Sequence, residues 1–267
     1  MFFKFPTAYQ SSLIKFIKIS VQETRLLLTI ILITISVVSS EGQTYKEVKI
    51  GNQIWMADNL NIFYFRNGDA IPIAKSLDEW MAAGKKRQPA CCFYSNNGEE
   101  GEKYGVLYNW YAVRDSRGLA PIGWHIPCSD EWSILFKQLG GFDKACIELK
   151  SESGWPKYLG DLDCINCKLW PQSKKAGSVC AICNDTRKVL GQKSSAGINS
   201  SGFSALPGGI RAWDGSFYSK GDIGFWWVCD EVDTSLAKYI SMRFDNDPIY
   251  IHHRQKLEGL SVRCLKD

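Results

Sequence analysis

The chain has 267 residues, of which 45% are hydrophobic, and its 32 basic and 28 acidic side chains give a formal net charge of +4. This length suits one large domain or two small ones. Residues 1–40 hold four of the basic residues and one of the acidic residues, so residues 41–267 are nearly neutral. We therefore expect no nucleic-acid partner, because nucleic-acid-binding domains are strongly basic.

The N-terminal residues 1–40 are predicted to direct export. A continuous apolar run over residues 26–38 follows Arg25 and precedes Ser39-Ser40-Glu41. A basic flank, an apolar run of about 7–15 residues and small residues after it are typical of a secretory signal peptide. The run is shorter than the roughly 20 residues that span a bilayer. We expect a signal peptide or an uncleaved N-terminal anchor, no other membrane span, and a location at the cell surface, in the periplasm or outside the cell.

Residues 41–267 are predicted to begin with a β-hairpin. Residues 47–50 alternate between polar and apolar side chains, and residues 53–55 form a second short run after Gly51-Asn52. A two-residue connection with glycine first suits a tight hairpin turn.

A first helix is predicted over residues 76–84. Ser76 can cap its start, Glu79 stands three residues later, and Gly84 can end it. Serine followed by glutamate at this spacing is the sequence pattern of a capping box.

A second helix follows Pro127. Its apolar residues recur at the spacing of one helical face, and they are Trp132, Leu135, Phe136 and Leu139. Ser129 or Asp130 is predicted to cap its start, and Gly140-Gly141 to end it.

Six motifs in a fixed order cover nearly all of the chain after residue 45. They are VKIGNQIWMADNL (48–60), YGVLYNW (104–110), GWHIP (123–127), EW (131–132), GFSALPGG (202–209) and SVRC (261–264). Together they resemble the Fibrobacter succinogenes major paralogous domain family. One departure is Cys128, where that family usually has the Ser or Thr that caps a helix.

The resemblance implies an α+β fold similar to those of C-type lectins and sulfatase-modifying factors. Such a fold has a twisted antiparallel sheet, two main helices and long loops. It also implies an exported or surface protein of Bacteroidetes and related bacteria, without a settled activity. Residues 41–267 would form a single domain of this family, with a small cysteine-rich insertion at about residues 160–190.

Four cysteines in that insertion have the spacing of a structural zinc site. Cys164 and Cys167 are followed after twelve residues by Cys180 and Cys183. Each Cys-x-x-Cys pair can aim two sulfurs at one point, and four thiolates complete a tetrahedral zinc site. A small insertion with little core of its own would gain its order from the metal. Such a closed site favours a structural zinc over a catalytic one.

Other interpretations of the cysteines stay open. In an oxidising compartment the four thiols can instead form two disulfides, and a Cys-x-x-Cys can be a redox pair. The remaining six cysteines allow fifteen full pairings, and they are Cys91, Cys92, Cys128, Cys146, Cys229 and Cys264.

The region from Cys229 to His253 is interpreted as a variable loop that can bind a ligand. Its residues Asp245, Asn246 and Asp247 offer the oxygen ligands that calcium prefers, and in lectin-like folds this region carries the calcium and sugar site. The alternative is that these residues only stabilise turns. His252 and His253 are adjacent, so on a strand at most one of them can face a given site.

Three functional hypotheses follow. The first is a non-enzymatic, exported module that binds a glycan or a cell-surface protein. The second is an enzyme of the sulfatase-modifying or thiol-dependent oxidoreductase kind, which would need a close cysteine pair such as Cys229 and Cys264. The third is a purely structural surface protein. No Gly-x-Ser-x-Gly or His-Glu-x-x-His motif occurs in the sequence, and we therefore predict a binding module.

Overall fold

The computed structural model describes residues 44–156, 197–244 and 249–267. The chain divides into two units, Met1–Thr44 and Tyr45–Asp267, and every described helix and strand belongs to the second. No helix within the described ranges is both long enough and apolar enough to cross a bilayer.

The described residues form five α-helices and twelve strands. The helices are α1 (Leu77–Lys85), α2 (Gly98–Tyr104), α3 (Trp110–Val113), α4 (Ser129–Gln138) and α5 (Phe142–Leu149). The strands of the first half are β1 (Glu47–Ile50), β2 (Gln53–Met56), β3 (Cys91–Cys92), β4 (Leu107–Asn109) and β5 (Trp124–His125). Those of the second half are β6 (Gly208–Arg211), β7 (Phe217–Lys220), β8 (Ile223–Glu231), β9 (Leu236–Arg243), β10 (Tyr250–Gln255), β11 (Gly259–Leu260) and β12 (Leu265–Lys266). A 3₁₀ turn, Tyr94–Asn96, follows β3.

The strands pair antiparallel in three sheets, with the orders β1-β2-β12-β5, β10-β9-β8 and β3-β4-β11-β6-β7. The predicted α+β class is therefore confirmed, but three smaller sheets replace the single sheet that was expected. An isolated bridge between Trp226 and Ser261 connects the three-stranded sheet to the end of the chain.

The predicted opening hairpin is confirmed. Ile50 pairs with Gln53, and Gly51 lies between them at a φ of +59°. This is a backbone conformation that glycine adopts without a steric penalty. Leu265 of β12 pairs with Trp55 on the other edge of β2, so the hairpin is fixed by the far end of the chain.

Helix α1 confirms the capping box and corrects the predicted end. The Glu79 N–H donates to Ser76 Oγ at 3.1 Å, and Glu79 Oε2 accepts from the Ser76 N–H at 3.0 Å. Gly84, however, lies inside the helix, which continues to Lys85. A Cβ at residue 84 would lie 2.8 Å from the Cβ of Leu257, so this glycine permits close packing and does not end the helix.

The start of α4 differs from the prediction. Neither Ser129 nor Asp130 is the N-cap; that position belongs to Cys128. Glu131 Oε2 accepts from the Cys128 N–H at 2.8 Å and from its thiol at 3.2 Å. The Ser129 N–H and hydroxyl both donate to Asp230 Oδ2 at 2.7 Å. Carboxylates from α4 itself and from β8 thus satisfy the first two N–H groups at the start of the helix, those of Cys128 and Ser129.

The three-stranded sheet separates two parts of the hydrophobic core. Successive residues of β8 point to opposite faces, so Phe225 and Trp227 join one cluster while Trp226 and Val228 join the other. Of the nine tryptophans that the structure describes, eight are buried, and only Trp213 is exposed. The tryptophans therefore mainly fill the core.

Two buried arginines connect distant parts of this core. Arg263 is fully buried and stacks on the Phe203 ring, with its Cζ atom 4.4 Å from the ring centroid. Its guanidinium donates to Met56 O at 3.0 Å, to Phe203 O at 2.6 Å and to Asn59 Oδ1 at 2.8 Å. Arg211 donates in the same manner to the carbonyl oxygens of Ala74, Ser76 and Gly215.

Candidate functional site

An open groove lies on one face of the three-stranded sheet and has a volume of about 370 Å³. This is at the lower end of the roughly 300–1,000 Å³ that is usual for small-molecule sites. All eight lining residues come from β8, β9 and β10, and they are Ile223, Phe225, Tyr239, Ser241, Arg243, Tyr250, His252 and Arg254. A site on paired strands has a well-defined geometry, because the strand hydrogen bonds hold its side chains in register.

Strand register explains why these side chains meet. Ser241 pairs with Phe225 on one side and with Tyr250 on the other. Paired residues direct their side chains to the same face, so a small serine stands between two large rings. The depression in the sheet face therefore follows from this alternation of large and small side chains.

The floor of the groove is aromatic. The rings of Tyr250 and His252 are stacked, with centroids 5.6 Å apart and planes inclined by 15°. The Tyr239 ring lies 6.2 Å from that of His252 and 5.8 Å from that of Phe225. A row of rings with polar atoms at its edges is suited to ligands that have a flat apolar face and hydroxyl groups.

Arg254 adds a charged group to the groove. Its Nη1 donates to Glu258 Oε2 at 2.7 Å, and its Cζ lies 5.0 Å from the Phe225 centroid and 5.2 Å from the Tyr239 centroid. The Glu258 side chain is only 4% exposed, and burial raises its pKa against the opposing effect of Arg254. The ion pair thus orients the guanidinium on the aromatic rings.

The chain matches the family model of the Fibrobacter succinogenes major domain over residues 48–266. It belongs to the Fibrobacter succinogenes major domain family. No curated protein and no solved structure matches it significantly. The family that the six sequence motifs predicted is therefore confirmed.

The metal and ligand residues predicted for this major domain lie outside the described residues. These are Cys164, Cys167, Cys180 and Cys183 for zinc, and Asp245, Asn246 and Asp247 for calcium or sugar. Both predictions stay predictions. Within the described ranges, no group of three or more His, Cys, Asp or Glu side chains is arranged to hold a metal ion.

The interpretation of residues 229–253 as a loop is wrong for the part that the structure describes. The segment contains the end of β8, all of β9 and the start of β10. The described residues of this segment that line the groove lie on strands and face one side of the sheet. As expected for neighbours on a strand, His252 lines the groove while His253 does not.

A polar cluster outside the groove surrounds His125. Its Nδ1 lies 2.7 Å from Asp267 Oδ1, and its Nε2 lies 2.8 Å from Glu131 Oε1. Partial burial alone would lower the pKa of His125, but the hydrogen bonds to the two carboxylates raise it. The role of His125 is structural, because the residue connects β5 to α4 and to Asp267.

Of the described cysteines, Cys91, Cys92, Cys128, Cys229 and Cys264 are free thiols. Burial raises the pKa of Cys91 and of Cys264 to about 12. Burial, together with the neighbouring Asp230 and Cys128, raises the pKa of Cys229 to about 11. Cys264 is fully buried in the core, whereas Cys229 is half-buried beside the start of α4, so the two thiols of the suggested redox pair have different surroundings.

Proposed function

We propose that this protein is an exported, non-enzymatic binding module with a C-type lectin-like fold, and that its ligand is a glycan held in the groove on β8, β9 and β10. The observation that carries the proposal is the stacked aromatic floor of that groove. Sugar rings have apolar C–H faces and hydroxyl edges, and they bind to such rings while hydrogen-bonding to the groups around them. The α+β architecture with antiparallel sheets supports the fold assignment.

A protein ligand is less well supported. Protein interfaces usually bury about 800 Å² per partner around a well-packed apolar centre. The groove has a volume of about 370 Å³ and offers ring faces together with the polar atoms of Ser241 and Arg254. These features are closer to those of a small-molecule or sugar site.

The proposal is tested with the full chain on a panel of bacterial and host glycans. Tyr250→Ala removes one ring of the floor, and we expect it to weaken the binding of a glycan about tenfold, a loss typical of a central interface residue. Tyr64→Ala is the matched control, because Tyr64 is exposed and does not line the groove. Binding that is lost equally in both variants, or in neither, would contradict a site in the groove.

We also propose that Cys164, Cys167, Cys180 and Cys183 hold one structural zinc ion. The support is their sequence spacing, since four thiolates form a closed tetrahedral site. Elemental analysis of the purified protein is expected to find one zinc per chain, and Cys164→Ser is expected to lose it. Two disulfides without zinc, found by mass spectrometry of unreduced peptides, would overturn the proposal.

Asp245, Asn246 and Asp247 are proposed to bind calcium next to the sugar. Their oxygen-rich side chains support this, and in sequence they lie between Arg243 and Tyr250, which both line the groove. Glycan binding is then expected to decrease in the presence of a calcium chelator and to become insensitive to it in Asp245→Asn. Binding of the unmodified chain that is insensitive to the chelator would exclude a role for calcium.

A further inference from the structure

Arg254 is held in place before any ligand arrives. The Phe225 and Tyr239 rings lie close to its guanidinium, and Glu258 accepts a hydrogen bond from its Nη1. A side chain that is already ordered loses little further conformational entropy when it binds a partner. The geometry therefore presents a preorganised cation beside the aromatic floor of the groove.

The guanidinium has more donors than the described residues satisfy. Arginine carries five N–H groups, and Glu258 is hydrogen-bonded to Nη1 alone. The Arg254 Nε–H is shielded from solvent and has no acceptor among the described residues. The side chain as a whole is 30% exposed, so the Nη groups, whose N–H donors Glu258 uses only in part, form the edge of the guanidinium that a ligand in the groove can reach.

A carboxylate fits the open edge best. Its two oxygens match two parallel N–H groups of arginine. The Glu258 carboxylate next to Arg254 offsets part of the positive charge, which suits a single monoanionic group better than a polyphosphate. Residues 41–267 are also nearly neutral, so they lack the basic surface that binding to a nucleic acid backbone requires.

The dimensions allow the carboxylate and the sugar rings to bind together. Tyr250, His252 and Arg254 lie on one face of β10 at every second residue. At about 3.3 Å per residue, Tyr250 and Arg254 are about 13 Å apart along the strand. This length accommodates more than one sugar ring over the aromatic floor.

We propose that the groove selects acidic glycans, with a uronic acid residue stacked on the aromatic floor and its carboxylate bound to Arg254. This inference rests on the proposed glycan-binding function. It also assigns opposite roles to two neighbouring charges. Arg254 binds the ligand carboxylate, whereas Glu258 competes with that carboxylate for the guanidinium.

The test uses calorimetry on the full chain with matched pairs of probes. Each pair is an oligomer of galacturonate, glucuronate or mannuronate and its carboxyl-reduced, neutral counterpart. We expect at least one acidic oligomer to bind about tenfold or more tightly than its neutral counterpart. Arg254→Gln is expected to remove this preference, lowering the affinity for the acidic probe about tenfold more than that for the neutral probe, while Glu258→Gln is expected to strengthen binding of the acidic probe several-fold. Arg114→Gln is the matched control, since Arg114 also lies over an aromatic ring but outside the groove.

The possible results separate this inference from the function on which it rests. If both members of every pair bind equally and Tyr250→Ala weakens both, the acidic preference is wrong but the glycan site stands. If neither member of any pair binds, or if binding is indifferent to both Tyr250→Ala and Arg254→Gln, both proposals fail. Should Arg254→Gln not fold, Arg254→Lys keeps the charge but lacks the planar fork, and it must lower the acidic preference several-fold.

Discussion

Arg263 in the core and Arg254 in the groove are the same residue type in similar aromatic surroundings. Arg263 stacks on Phe203 at 4.4 Å, and Arg254 lies 5.0 Å from the Phe225 centroid. They differ in their acceptors. Arg263 donates to two backbone carbonyls and to the Asn59 side chain, whereas among the described residues Arg254 has one carboxylate partner and no acceptor for its Nε–H.

This difference separates a structural arginine from a binding arginine. Burial lowers the pKa of Arg263 to about 9, so its guanidinium still carries its charge at neutral pH, and the acceptors around it stabilise that charge. At Arg254 the described residues supply only part of the acceptor set, and the partly exposed guanidinium lies along an open groove. Stacking on a ring is thus common to both arginines, and the surrounding acceptors decide the role.

The largest expected effect is that of Arg263→Met. The variant leaves the carbonyl oxygens of Met56 and Phe203 without a buried donor and removes one of the two donors to the Asn59 amide oxygen. We expect a loss of about 3–5 kcal/mol in the free energy of unfolding. Urea unfolding of this variant and of Arg254→Gln measures the contrast. Arg254→Gln, on the groove surface, is expected to lose only about 1 kcal/mol. Equal losses of stability in the two variants would contradict the assignment of a structural role to Arg263 and of a ligand-binding role to Arg254.

Asn59→Ala is expected to have the next largest effect. The Asn59 Oδ1 accepts from Arg263 and, at 2.8 Å, from the Trp226 Nε1–H, and both donors are buried. Leaving them with fewer acceptors costs about 1–3 kcal/mol. Asn61→Ala serves as the control, because Asn61 makes one long bond of 3.4 Å to Gly101 O. A control that loses as much stability as Asn59→Ala would contradict a special role for Asn59.

Glu258→Gln tests the charge next to the groove arginine. Burial raises the pKa of Glu258 above its usual value of 4.5. A raised pKa in the folded state gives stability below pH 4.5 that is lost as the pH rises through the folded pKa. The variant lacks this titration, so relative to the unmodified protein it is expected to gain up to about 1 kcal/mol between pH 4 and pH 7. Unfolding measurements across this range check the slope, and a constant difference would show that Glu258 titrates normally.

His125→Asn is expected to have the smallest effect. The hydrogen bonds to Asp267 and Glu131 outweigh partial burial and raise the pKa of His125. Its contribution to stability is therefore present below pH 6.5 and is lost as the pH rises through the folded pKa. More than a third of the side chain is exposed, so we expect a loss under about 1 kcal/mol at pH 5.5 and less at pH 8.5. His253→Asn, at an exposed position, is the control, and a loss that grows with pH would contradict the assigned direction.

Local sequence patterns predicted the elements that depend on neighbouring residues. The glycine turn of the hairpin, the capping box of α1 and the apolar stripe of α4 all reach only a few positions along the chain. Gly84 and Cys128 were misjudged because their roles depend on distant partners. Gly84 leaves space for the Leu257 side chain. At the start of α4, the Ser129 N–H donates to Asp230, which lies 101 positions further along the chain.

The groove was only partly predictable. Acidic residues are common in turns, and the cluster of Asp230, Glu231 and Asp233 therefore favours a loop in the sequence. It obscures the alternation of side chains between the two faces of β9 and β10. The signal was nevertheless present, because Tyr239, Ser241 and Arg243 alternate with Lys238, Ile240 and Met242. No sequence pattern could show that Ser241 lies between Phe225 and Tyr250, since strand pairing sets that register.

The sequence by itself determined the family, the α+β class, the opening hairpin and the two main helices, because motif order and short-range spacing are properties of the chain. Only the tertiary structure decided which arginine is structural and which faces a groove. Arg263 obtains its carbonyl acceptors from residues 207 and 60 positions away. The described partner of Arg254, Glu258, is four positions away and accepts from only one nitrogen of the guanidinium. The environment of a guanidinium depends on which distant carbonyls the fold brings within 3 Å, and no local pattern encodes that.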